Sequence, residues 1–361
     1  MSTTLKNFGF AFTLALGVAV TGCAADSPAN PNGGGSGDQG GGGDNGGPDG
    51  TPHQLDASGK YKVTSTFDLA TNMPGTVGTV VNDFISATDD PDDPTHWILD
   101  QIIAQMPNGT LKSLLSGAEP FVAGYLNDQL LNIAPDFVST ILQVGNDFGD
   151  MAKHFGLNET LDVAGGTDGA YTSVVTAVGV HFNINSVQTD LAFSDYQIAN
   201  IVANNVGVQL DATGKLSIAE HKMPVSYGKI LRVGLDAVII PAVDANATNL
   251  NELLADQIDC SAVGQAINDA LTQQFGYGGG AGTWTSACTA GLNYGAQEIY
   301  SKISDIDASA LEFDLTGTAK AVDTNNDYKA DALQSGKWTG TLSYSGTPAP
   351  LSTATFTGSR M

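Results

Sequence analysis

The sequence predicts an α+β fold: a helical block packed on a long-stranded, curved antiparallel sheet, with a C-terminal β-hairpin. Three observations predict it. Apolar residues recur at helical spacing across residues 95–155, the period shortens to two beyond Gly165-Gly166, and two alternating runs flank residues 345–350 near the end. The body, residues 54–361, can bury about three quarters of its unfolded surface. It contains no second linker and no repeat period, so it reads as one domain, with residues 311–361 forming its C-terminal hairpin and aspartate loop.

Before the body comes an address. Lys6 and the amino terminus supply positive charge, and Phe8 to Val20 is an apolar run too short to span a membrane. Residues 1–22 therefore read as a signal peptide ending at Val20-Thr21-Gly22-Cys23. Residues 24–51 are mostly Gly, Asp, Asn, Pro and Ser with no large apolar side chain, so they cannot repay their ordering entropy. Such a segment, within 23–53, is expected to be a flexible tether reaching roughly 30 Å.

Val20-Thr21-Gly22-Cys23 resembles the lipobox of bacterial lipoproteins. That resemblance implies removal of residues 1–22, lipidation of Cys23 and stable anchoring by several acyl chains. Ala24 and Ala25 stand where a retained lipoprotein carries aspartate, which implies the outer membrane. The whole pattern is similar to uncharacterised surface lipoproteins of myxobacteria, and that likeness implies an address and no activity.

Charge narrows the partners. Without residues 1–22 the chain keeps 13 basic and 38 acidic residues, a net −25, which repels nucleic acid and anionic membrane surfaces. Only six acids are glutamate; the 32 aspartates favour caps, turns and cation-binding loops.

Along the body, Tyr61, Val63, Ser65, Phe67 and Leu69 share one face of an opening strand. Ser86 to Pro94 follows as an acidic loop. Helices are expected from Thr95 to Met106, over Leu111–Leu115, after Pro120 and after Pro135 to Phe155. Ser173–Asn183, Tyr196–Leu210 and Lys229–Ile240 read as long strands, with Asp211 to Gly214 a turn and Gly179 and Gly234 marking bulges. Helices return at 250–258, 262–275 and 285–303, the last with Ala287, Gly291 and Gly295 on one narrow face. A strand then starts at Leu311. Gly336–Tyr344 and Ser352–Gly358 form the finishing hairpin, packed by Trp338, Tyr344 and Phe356.

Cys260 and Cys288 flank a glycine loop, and in an exported chain an even pair predicts a disulfide between adjacent antiparallel helices. The aspartate loop begins at Asp323. Asp323, Asn325, Asp327, the Lys329 carbonyl and Asp331 occupy alternate positions from which oxygens converge on a hard cation. This resembles the calcium loops of EF-hand, dockerin and thrombospondin type-3 repeats. Tyr328 replaces the turn glycine and Gln334 the bidentate glutamate, so the loop fits either calcium or a cation-free Asx turn.

Signatures for hydrolase, P-loop, dinucleotide or zinc-protease chemistry are absent, and the five histidines are scattered. Neither Asp305 with Asp307 nor Glu220-His221, read as a solvated turn, specifies a reaction. No catalytic residue and no organic cofactor are expected. Three function classes follow, in order. The first is a non-enzymatic binding or structural lipoprotein that meets an envelope protein. The second is a carrier of an apolar or lipid ligand in a groove between helices and sheet, an element order that loosely resembles the tubular lipid-binding domains of the bactericidal/permeability-increasing family. The third is an envelope hydrolase, since dispersed acid pairs can catalyse without a local motif.

Overall fold

A computed structural model describes residues 55–69, 94–133, 136–184, 187–308 and 311–361. The signal segment, Cys23, the tether and the acidic loop before Pro94 lie outside the described residues. In β1 (Gly59–Asp68), Tyr61, Val63, Ser65 and Phe67 are buried on one face, as the alternation requires. The same period runs through β2 (His154–Thr167), β3 (Ala170–Ile184), β5 (Ile201–Leu210), β6 (Lys215–Val225), β7 (Leu311–Val322), β8 (Ala332–Tyr344) and β10 (Thr353–Arg360). Each pairs antiparallel with the next, and β10 bonds both β8 and β1. The sheet therefore closes on itself. Two short strands lie off the ring, β4 (Val187–Ala192) beside the far half of β3 and β9 (Thr347–Pro350) beside β8.

This eight-stranded barrel overturns the expected helical block packed on a curved antiparallel sheet. Closure rests on pairs such as Tyr61 with Arg360 and Gly358 with Leu333, whose partners are remote in sequence or joined through the whole ring. No local period encodes such pairs. Two strands were misread as well: β2 follows the last turn of α3 (Phe137–Lys153) without a break, and β6 occupies the supposed solvated turn. Conversely, Lys229–Ile240 is helical. Its run of Ile and Val imitates a strand, yet α4 (Tyr227–Gly234) passes through a π-helical turn (Leu235–Ile239) into α5 (Ile240–Val243). Pro241 has no N–H to return to the preceding turn, which favours a local change of helical pitch there. Pro120 does not stop its helix either, since α2 (Thr110–Ile133) runs through it.

The helices enter as two insertions, one between β1 and β2 and one between β6 and β7, so both emerge at the same end of the barrel. There Phe67, Phe155 and Phe313 cluster with ring centroids 4.7–6.0 Å apart, and Tyr227 of α4 packs on Phe155 at 5.5 Å. The Tyr227 hydroxyl donates to the Ala152 carbonyl at the end of α3. These rings seal that mouth. At the opposite end the connections are short, such as the Asp168-Gly169 hairpin with both residues at positive φ, the conformation a two-residue turn needs.

Helix α8 (Ala281–Asp305) is the spine of the helical end. Its small-residue face works as expected: a Cβ on Gly291 would lie 2.8 Å from the Ile102 backbone N of α1 (Pro94–Gln105), so the two backbones touch there. Gly264 of α7 (Cys260–Phe275) meets the Thr285 and Ala281 backbone in the same way. The remaining helix, α6 (Leu250–Gln257), starts at Asn249, whose side chain accepts from Glu252 N.

Candidate functional site

Eight strands leave an interior just wide enough to be filled by side chains. In this barrel it is filled. Trp338 lies across the middle, stacked on Phe356 at 4.3 Å, and Gly317 on β7 makes room for it, since a Cβ there would meet the indole at 2.4 Å. Beside it sits a void of about 10 Å3, the space of one water molecule.

Polar groups nevertheless cross this core. Trp338 Nε1 donates to Ser65 Oγ at 2.9 Å, and Ser65 in turn donates to Glu159 Oε2. Glu159 is buried, and its Oε1 makes no hydrogen bond among the described residues. Burial pushes its carboxyl up to about 7, against the opposing hydrogen bond from Ser65. His221 meets the Trp338 ring edge-on at 5.6 Å. Its Nδ1, 3.0 Å from the Ala219 carbonyl, carries the proton, while Nε2 is buried and has no hydrogen-bond partner among the described residues. Burial lowers the imidazole pKa. The local sequence hid both groups: Glu159 stood in a supposed helix-to-sheet junction and His221 in a supposed turn, and the alternation of β2 and β6 was the missed signal.

The expected cation ligands all sit in the β7–β8 loop, at the end of the barrel away from the helices. The side-chain oxygens of Asp323, Asn325, Asp327 and Asp331 face backbone amides. Asp323 accepts from Asn325, Asn326 and Tyr328 N at 2.7–3.1 Å, Asn325 from Asp327 N at 2.9 Å, and Asp327 from Lys329 N at 2.9 Å. Asp331 accepts from Thr324 N and Oγ1, which lowers its carboxyl pKa. Among the described residues no three His, Cys, Asp or Glu side chains gather as for a metal ion.

Arg360 staples this loop to the start of β1. Its Nε donates to Ala330 O at 2.8 Å, Nη1 to Ser58 O at 2.7 Å and Nη2 to Tyr61 OH at 3.1 Å, with the guanidinium over the Tyr61 ring. Burial raises the Tyr61 hydroxyl to about 12. Arg360→Ala strands two carbonyls and should cost about 2 kcal/mol, read as a lower urea midpoint with an unchanged slope.

The expected disulfide is present, Cys260 to Cys288 with Cα atoms 5.5 Å apart, and it joins α7 to α8 as antiparallel neighbours. Asp307 caps α4, accepting from Gly228 and Lys229 N at 2.8 Å each.

Helix α4 and its π turn form one wall of a cleft of about 550 Å3. The opposite wall is the 3₁₀ turn Phe193–Tyr196 with Gln197, whose φ of 56° turns the chain inward. A chain of contacts holds Arg232 on the α4 wall. Leu250 N donates to Tyr300 OH at 2.8 Å, Tyr300 OH donates to Asp236 Oδ1 at 2.5 Å, and Asp236 Oδ2 lies 3.6 Å from Arg232 Nε. The guanidinium stacks 4.4 Å above the Tyr300 ring. Burial raises the Asp236 pKa, opposed by Tyr300 and Arg232. Sequence reading missed this site because it placed Arg232 and Asp236 in a strand; as a helix, their spacing of four is an ion-pair signal.

No family model, no curated protein and no solved structure matches the chain. The class is therefore defined by geometry alone: a filled antiparallel barrel with a helical end that carries a charged cleft.

Proposed function

We propose that the protein is a lipid-anchored binding protein of a bacterial outer membrane, without enzymatic activity, that meets its partner through the outside of its barrel domain. The observation that carries this reading is the filled interior: Trp338, Phe356, Phe67, Phe155 and Phe313 occupy the space in which a barrel carrier would hold its cargo. The alternative reading, a carrier of apolar ligands in a groove between helices and sheet, rested on a curved sheet facing the helices, and the strands instead pair into a ring. The lipobox-like Val20-Thr21-Gly22-Cys23 and the Gly-rich segment after it support the anchor. Among the described residues no helix is long and apolar enough to cross a membrane. Calcium in the Asp323–Asp331 loop would add a structural ligand to this reading, which a native mass spectrum before and after chelation tests.

Expressed in a bacterial envelope with an alkyne analogue of palmitate, the full chain should take label and sediment with membranes. Cys23→Ser should abolish the label and release the chain to the soluble fraction. An unlabelled, soluble wild type would remove the anchor from the reading.

A further inference from the structure

The chain has two arginines, and the structure uses them differently. Arg360 donates from Nε, Nη1 and Nη2 to main-chain and tyrosine oxygens and has no donor fork left for a ligand. Arg232 is half exposed in the cleft, is approached by Asp236 only at Nε, and leaves Nη1 and Nη2 without a partner among the described residues. A guanidinium held from below by an aromatic face and a carboxylate, with its outer fork open, is the arrangement that receives a planar anion through two parallel hydrogen bonds. Lys229, three residues earlier on α4, adds a second positive charge to the same wall.

The surroundings select the anion. Asp236, whose Oδ2 lies 3.6 Å from Arg232 Nε, puts a carboxyl beside the guanidinium in the lining of the cleft. A dianion meets twice the repulsion of a monoanion from its carboxylate. Tyr196, Ile198 and Val233 give the cleft apolar surface next to the charged end. We propose that this cleft binds the carboxylate of a small organic monoacid, with Arg232 as the bidentate partner, Lys229 as the accompanying charge and the Tyr196 side as the rest for a ring. This rests on the binding reading above, whereas its test is independent of the lipid anchor.

The test is an NMR titration of the full chain with benzoate, with glucuronate and with inorganic phosphate at pH 7. Saturable shifts are expected with at least one carboxylate, centred on Gln197, Lys229 and Arg232. Arg232→Ala should weaken that binding about tenfold or more, and Arg232→Lys, which keeps charge but loses the fork, by a smaller factor. Both substitutions sit on a half-exposed side chain, and an unchanged amide spectrum away from the cleft shows that each variant is folded. No saturable shift with either carboxylate, equal binding of phosphate, or shifts indifferent to both variants would overturn the proposal. Palmitate labelling at Cys23 reads the anchor separately, so failure here leaves that result standing.

Discussion

Acidification between pH 8 and pH 4 should stabilise the wild-type chain relative to Glu159→Gln by about 3 kcal/mol. The buried carboxyl is held up at about 7, above the 4.5 of an exposed glutamate, so the folded state binds this proton more tightly than the unfolded state. Its stabilisation is complete below about pH 4.5 and is lost as pH rises through 7. Other groups act in the opposite sense. His181 and His221 are held below 6.5 by burial, so their contribution is present above that value and lost on acidification. For that reason the comparison with Glu159→Gln is the informative quantity. The amide mimics the neutral acid, so the two proteins should unfold at similar urea concentrations near pH 4 and diverge at pH 8, with the variant the more stable. Parallel pH profiles would show that Glu159 does not titrate in the barrel.

Replacing Cys260 and Cys288 together by serine should lower stability by roughly 3–4 kcal/mol, the chain-entropy cost of opening a loop with a sequence separation of 28. Cys288 is buried in α8 and Cys260 opens α7, so the loss should fall first on the α7–α8 pair that supports α1. Hydrogen exchange would then show earlier opening of residues 260–305 than of the barrel strands, with a correspondingly lower Tm. A double variant as stable as the wild type would mean that Gly264 and Gly291 packing alone holds these helices.

The cleft and the barrel core show where sequence reading stops. Arg232 and Asp236 are visible as letters, but the Val and Ile around them favour strand and helix about equally on pattern, and the choice of helix comes from the packing of α4 on Phe155 and α8. His221 reads as part of a solvated turn and Glu159 carries no local signal, because acids and histidines are usually exposed; strand pairing on both sides of β2 and β6 turned them inward.

Local chemistry determined a good deal of this protein. Alternation set β1 and the ends of β3, β5 and β8, Asp211 to Gly214 made the β5–β6 turn, and two cysteines on either side of a glycine loop joined. Each depends on neighbours within a few residues or on a short loop closure. Closure of the barrel, the filling of its interior, the placing of helices at one mouth and the assembly of Tyr300, Asp236 and Arg232 were decided only by the tertiary structure. Hydrogen bonds between strands that are distant in sequence, and contacts between side chains 64 positions apart, leave no period in the chain by which to read them.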